Sequence, residues 1–462
     1  MSTEQRESLP RTETDSTKNN VLNDSTGTRT EDEKSLQEEH IDPLSPGMIK
    51  LYGVWSVALL ATFMAGYGTS SMTAINPMPI YQDFFRFADV GVSTGLVFAM
   101  WPLAACCLFW LGPIIADRLG RRGGMFVSSL IYMLGTCLVA FAKNFGMLLA
   151  ERFFIGGAVG LMQPAAPPYL VELAPPLNRG LLTGLFNCCW LLGNAIATMV
   201  CIGTNRIKSN WAWRLPLVIS IMASTVWFLP ESPRWLYVHG KPEEARKVLV
   251  KYHGNGIYTP IVAKELDQIM LSLNSAPQKM FDYANLANTR AKAYRLALAL
   301  IMGAAGQLSG NTLMIFAPSL YKQVGMTSVK QQLIMTLIPT LIGLIFAIIG
   351  TYCSDRLGRR KMLIWGTLLC GIFLSLGMTC SAISLKGQTS ISVSNYNHKA
   401  AKGTIGFLIL FYATYAWSYI PLVATYPPEV LSMEQRSTGM GLMVLTLNLS
   451  SAMGQLTTPI GE

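Results

Sequence analysis

Between Leu51 and Gln82 the chain runs 32 residues without one Asp, Glu, Lys or Arg. Charge-free runs recur at 331–354 and 403–428. A helix of about 20 apolar residues crosses roughly 30 Å of hydrocarbon. Such a helix satisfies its own backbone donors and acceptors in lipid, which an open strand cannot do. The chain is 51% hydrophobic and 13% charged, so these runs dominate it, and they predict an all-α membrane protein. Eleven apolar segments can be traced, at about 51–82, 90–116, 123–142, 153–171, 180–205, 215–229, 296–321, 331–354, 362–385, 403–428 and 437–461. The sixth, with 15 residues, is short for a span.

The formal net charge of +10 is unevenly spread. Residues 1–47 hold 11 acidic and 5 basic side chains, so the tail is acidic and the remainder strongly basic. The basic excess sits in short loops between apolar segments, as membrane orientation requires and nucleic-acid binding does not. The tail is polar and carries no cleavable leader, and it reads as disordered and cytosolic. The nine cysteines lie in or beside apolar segments and read as small packing residues. The four histidines fall in the tail or loops, so neither a metal nor another cofactor is expected. No nucleophile–base motif or phosphate loop points to an enzyme.

A charged block at 231–292 divides the segments into six and five. It holds 9 basic and 6 acidic residues, which places it in the cytosol. The sequence Gly112-Pro-Ile-Ile-Ala-Asp117-Arg-Leu-Gly-Arg121-Arg122 recurs as Gly350-Thr-Tyr-Cys-Ser-Asp355-Arg-Leu-Gly-Arg359-Arg360. Glu172 is followed seven residues later by Arg179, and Glu429 by Arg436. Two copies in one order mean two parallel halves, six helices each in the parent design. The expected organisation is a tail (1–47), an N-terminal bundle (48–230), a cytosolic linker (231–292) and a C-terminal bundle (293–462). The sequence stops at Glu462 near the end of the eleventh segment, so a twelfth helix is expected to be missing.

These motifs carry a family resemblance over residues 48–462. The paired loops resemble the signature loop of the major facilitator superfamily. Arg152-x3-Gly156-x3-Gly160-x8-Tyr169-x2-Glu172-x6-Arg179-Gly180 resembles the sugar porter signature, departing from it at Gly157. Pro230-Glu-Ser-Pro-Arg234-Trp and Gln307-Leu-Ser-Gly310-Asn311 are similar to sugar porter sequences, and Tyr426-Pro-Pro-Glu429 looks like the fungal branch, near lactose permease-like and hexose transporters. The resemblance implies two bundles rocking about a midplane site. It implies that Asp117, Arg121, Arg122, Glu172, Arg179, Asp355, Arg359, Arg360, Glu429 and Arg436 form cytosolic gating salt bridges between the bundles. The implied partners are a small neutral sugar and the lipid bilayer, around a monomeric chain in the plasma membrane.

A sugar site needs neutral amides and an aromatic face without a fixed charge. Gln307 matches a family sugar contact, and Asn187 stands where many sugar porters have glutamine. Asn311, Asn448, Gln163 and Trp417 complete the candidates. Three departures stand out. Gly68 replaces the first-helix aspartate of related proton symporters, Gly306 the first of two seventh-helix glutamines, and Gly343 an eighth-helix asparagine. All acids beyond the tail, Glu151 included, are expected in loops or at helix ends. Arg152 is expected to lack its usual carboxylate partner. Facilitated diffusion is therefore expected, with a proton-coupled symporter or a non-transporting nutrient sensor as alternatives.

Overall fold

The computed structural model describes residues 44–86, 91–175, 179–221, 229–274, 286–323, 325–386, 398–432 and 435–458. Helices form nearly all of it. The N-terminal half contains α1 (Pro46–Ile75), α2 (Val92–Leu108), α3 (Leu111–Arg118), α4 (Gly120–Ala140), α5 (Phe145–Met162), α6 (Ala166–Leu173), α7 (Arg179–Thr204) and α8 (Trp211–Ile219). The linker holds α9 (Pro242–Tyr252) and α10 (Pro260–Asn274). The C-terminal half contains α11 (Arg290–Leu308), α12 (Asn311–Ile315), α13 (Val329–Leu357), α14 (Arg359–Lys386), α15 (His398–Val430) and α16 (Arg436–Thr457).

Among the described residues, eight helical stretches are long and apolar enough to cross a membrane. The count becomes nine if α2 and α3, bent by 52°, form one broken span. This differs from the eleven segments traced in the sequence. The sixth segment gives only α8 before residues 222–228, which lie outside the described set. The eleventh is the 22-residue helix α16, whose apolar run is interrupted by Asn448, Ser450, Ser451 and Gln455. Residues 1–43 of the expected disordered tail likewise lie outside the described residues.

The fourth span begins earlier than its apolar run at 153. Asn144 caps α5, its side chain accepting from the Met147 amide, so the helix starts at Phe145. A capped start satisfies a backbone donor that lipid could not. The cap carries Glu151 into the middle of the helix, where hydropathy alone had placed a loop. Pro164 then separates α5 from α6 because it brings no N–H to continue the ladder.

Small residues set the helix spacing. Gly156 and Gly160 of α5 lie directly against the backbone of Trp101 and Ala105 of α2. A side chain at either glycine would collide with that backbone, so this part of the signature is a packing device. The departure at Gly157 is filled by Leu108. The halves meet along two seams, α7 against α13 and α15, and α2 against α16. On the outward faces of α13 and α14, Ile345, Ile349, Ile364, Trp365, Leu368 and Ile372 stay exposed, an apolar belt suited to lipid.

The linker fastens to one end of the molecule. Asn255 accepts from the Gly47 amide at the start of α1 at 2.6 Å. His253 reaches the Leu173 carbonyl at the end of α6 with one ring nitrogen and the Glu265 carboxylate with the other. Gln435, just before α16, donates to the Leu286 and Lys292 carbonyls. At the far end an apolar cluster containing Met72, Ile75, Tyr81, Phe98 and Trp213 also takes in Phe316 and Leu333 of the other half. The Phe98 and Phe316 rings meet edge-on at 5.2 Å.

Candidate functional site

The repeated loops occupy the linker face, one in each half. Arg121 pairs with Asp117 at 2.9 Å and with Glu172 at 3.4 Å. Its counterpart Arg359 grips Glu429 with two bonds of 3.1 and 2.9 Å. The two arginines also donate to equivalent carbonyls, of Ala116 and Ser354. These four ion contacts run within a bundle. Each arginine thereby ties its own loop to a helix end of the same bundle. The side chains of Arg179, Asp355 and Arg436 lie outside the described set, while Arg122 and Arg360 are exposed.

The halves differ in what seals the pair. Glu172 is 10% exposed and also accepts from Ser232 at 2.5 Å, whereas Glu429 is 49% exposed. The Pro-Glu-Ser-Pro motif makes this difference. One oxygen of Glu231 accepts the backbone N–H groups of Arg121, Arg122 and Ser232 at 2.9, 3.2 and 2.9 Å. The Glu231 carboxylate lies against Gly120, whose φ of +87° suits glycine. Burial raises the Glu231 carboxyl above its ordinary value, against the pull of those amides and Arg121. Two motifs that looked separate in the sequence thus form one joint. Trp235 reinforces it by donating to the Asp117 carbonyl at 2.8 Å.

Deeper in the N-terminal half, Arg152 is 2% exposed and Glu151 not at all. Arg152 donates to both oxygens of Glu151 at 2.7 Å each and to the Gly68 carbonyl at 3.3 Å. This corrects one expectation: Glu151 is neither in a loop nor at a helix end. Arg152 does without a first-helix acid, since Gly68 stands there, and finds its carboxylate beside it. The compensating acid lies next to Arg152 on α5 instead of on the first helix. The spacing Glu-Arg was visible in the sequence; the missed cap at Asn144 hid its depth.

The amide candidates fall into distinct settings. Gln307, half-buried at the end of α11, accepts from Asn311 at 3.2 Å across the α11–α12 break. The break is made by Gly310, which has φ +105°. Asn187 of α7 crosses the seam and donates to the Ile420 carbonyl of α15 at 3.0 Å. Trp417 lies one turn before that carbonyl, and its own carbonyl, left free by Pro421, packs against Gly350 of α13. Asn448 is buried and donates to its own helix at Val444. Gln163, at the α5–α6 break, keeps a buried oxygen without a partner. Gln307 is thus joined to Asn311, and Asn187 to the turn after Trp417. Among the described residues, no hydrogen bond joins Asn448 or Gln163 to either pair.

Tyrosines fill the positions where the resemblance led one to expect polar side chains. A side-chain carbon at Gly343 would meet the Tyr412 ring at 2.8 Å, and one at Gly68 the Tyr132 hydroxyl at 3.0 Å. Tyr415 donates to the Gly306 carbonyl at 2.7 Å. Tyr412, Tyr415 and Tyr419 stack along α15 with centroids 6.3 and 5.3 Å apart. This aromatic spine was missed from the sequence, although its three- and four-residue spacing marks one helix face.

Three comparisons bear on this architecture. The fold is shared with the xylose transporter XylE of E. coli in a partially occluded inward-open conformation, with a TM-score of 0.71 at 19% identity over 89% of this chain and 91% of that one. The chain is 27% identical to the sugar transport protein MST3 of Oryza sativa subsp. japonica over 351 residues, 74% of this chain and 66% of that relative. It is 27% identical to myo-inositol transporter 2 of Cryptococcus neoformans var. grubii over 431 residues, 88% of this chain and 74% of the relative. Residues 54–462 match the family described as "Sugar (and other) transporter". With that match spanning nearly all of both bundles and the linker between them, the chain belongs to the sugar transporter family of the major facilitator fold.

Proposed function

We propose that this chain carries a neutral mono- or disaccharide across the plasma membrane by alternating access and facilitated diffusion, with its N-terminal tail in the cytosol. The observation that carries the reading is the seam itself. The uncharged amide of Asn187 bridges the two bundles, Gln307 and Asn311 add a neutral amide pair at the α11–α12 break, and the deep charges of Glu151 and Arg152 cancel within one pair. Amides can take over the water contacts of hydroxyl groups without attracting ions. The names of the relatives, for sugars and myo-inositol, support the same substrate class. The carrier acts as a single copy. Its repeated loops serve as the gate: the Arg121 and Arg359 clusters brace each bundle as the halves rock, with Arg122, Arg179, Asp355, Arg360 and Arg436 completing the basic and acidic rim.

Uptake of a labelled saccharide panel in a host lacking its own carriers tests this. Gln307→Ala is expected to lower uptake of the carried sugar about three- to tenfold, the loss of one neutral hydrogen bond. Unchanged binding and flux for every saccharide would overturn the assignment.

A second reading, proton-coupled symport, is favoured by one observation, the carboxylate of Glu151 buried inside a span. Intramembrane acids mark proton paths as well as structural pairs. Sugar-dependent, stoichiometric pH change in the lumen of proteoliposomes selects symport; its absence selects facilitated diffusion.

A further inference from the structure

The joint that fastens the linker to the N-terminal half closes only around a shared proton. His253 follows α9 directly, and its side chain is 1% exposed. Its Nε2 lies 3.2 Å from the Leu173 carbonyl at the end of α6. A carbonyl oxygen only accepts, so Nε2 carries a hydrogen. Nδ1 lies 2.6 Å from Oε2 of Glu265 on α10, a side chain 7% exposed. A neutral imidazole has one N–H, and Nε2 has used it. With an ionised carboxylate opposite, Nδ1 and Oε2 would then be two acceptors facing each other at hydrogen-bond distance. A second proton therefore lies between them. The pair is an imidazolium beside a carboxylate, or a neutral ring beside a carboxylic acid; both forms hold the same number of protons.

Among the described residues, no other group stands in for that proton. Oε1 of Glu265 is buried without a hydrogen-bond partner. On α6 the neighbouring acid, Glu172, is engaged by Arg121 and Ser232. On α9 Lys251 is exposed and lies 5.3 Å over the Tyr252 ring. Lys264 and Asp267 on α10 and Lys50 on α1 are exposed as well. Met48 of α1, Leu173 of α6 and Tyr252 of α9 share one apolar cluster at this end of the molecule.

Taking the proton away costs the joint a charge-assisted hydrogen bond and leaves a carboxylate against a lone pair in a buried site. The closed joint is the form that binds the proton, so it is favoured at low pH and weakens as pH rises. Imidazole is the side chain that exchanges its proton within the physiological range. Leu173 directly follows Glu172, so the joint ends on the same helix end as the Arg121 brace.

We propose that His253 and Glu265 form a proton-held latch, which fastens α9 and α10 to the end of α6 in acid and releases them as pH rises. It senses the compartment that bathes the linker, which is the cytosol on the reading above; this part alone rests on that reading. The sequence placed His253 in a loop and left it there, because Glu265 and Leu173 meet it only through the packing of three helices.

Hydrogen exchange of the α10 amides tests the latch, using the full chain in detergent between about pH 5.5 and 8.5, with labelling times scaled to the chemical exchange rate. Wild-type protection of 260–274 is expected to fall about ten- to hundredfold across that range, the loss of one hydrogen bond to a charged group. In Glu265→Gln the amide nitrogen donates to an unprotonated Nδ1, so no extra proton is needed. Protection is expected to stay high and flat. In His253→Gln it is expected to be low and flat, and Glu265→Gln carries the test alone if that variant does not assemble. Wild-type protection that does not change with pH overturns the latch. So does a wild-type slope that survives in Glu265→Gln, or one shared by the amides of α14, which would mark general loosening. Cleavage of the linker by a protease added outside intact cells would overturn the cytosolic part and leave the detergent result standing.

Discussion

Replacing Glu151 by leucine strands the Arg152 guanidinium in the interior of the N-terminal bundle. The wild-type cation is 2% exposed and gives two 2.7 Å bonds to a carboxylate that is not exposed at all. After the change it keeps only the Gly68 carbonyl, at 3.3 Å. Breaking a buried pair by removing one partner costs about 3–5 kcal/mol, because the remaining charge has lost both water and counter-ion. At about 1.4 kcal/mol per tenfold, that is roughly two to three and a half orders of magnitude in the unfolding equilibrium. Glu151→Leu combined with Arg152→Met removes both charges and is expected to recover most of the loss, since an apolar replacement of similar volume is often neutral or stabilising. Equilibrium unfolding of the purified protein in detergent, run as a double-mutant cycle, measures this coupling. If Glu151→Leu costs less than about 1 kcal/mol, or the two single changes simply add, the pair does not hold the bundle as argued.

Four further outcomes follow from the same geometry. Gly120→Ala forces a side chain into a left-handed backbone position and against the Glu231 carboxylate; a loss of about 1–3 kcal/mol and faster proteolysis of residues 233–274 are expected. Glu231 has its folded-state pKa raised by burial above 4.5, so its contribution is fully present near and below that value and is lost as pH rises through the raised one. Glu231→Gln should therefore flatten the melting-temperature profile over that window; an unchanged slope would show that Glu231 is not its source. Asn187→Val removes the hydrogen bond across the α7–α15 seam and should shift the balance of inward- and outward-open states about two- to tenfold, read by spin-label distances across the far face. Glu172→Gln should destabilise more than Glu429→Gln, because the first pair is sealed by Ser232 and the second is half-exposed, worth about 0–1 kcal/mol; equal melting shifts would contradict the asymmetry.

Much of the plan is legible along the chain. The apolar runs, the repeated Asp117–Arg122 and Asp355–Arg360 loops and the basic linker mark a membrane protein of two parallel halves. Those are one-dimensional properties: the free energy of moving a segment into lipid is nearly a sum over its own residues, and a repeat is found by sliding the chain along itself. What only the tertiary structure decides is which faces meet. Glu151 becomes the buried partner of Arg152 because a cap at Asn144 starts the helix early enough to include it. Tyr132, Tyr415 and Tyr412 come to stand at Gly68, Gly306 and Gly343 because rotation and tilt of neighbouring helices bring those rings there. Glu231 closes on Gly120 across more than a hundred residues of intervening chain. Such contacts depend on the relative placement of several helices at once, and composition or spacing within one segment carries no record of that placement.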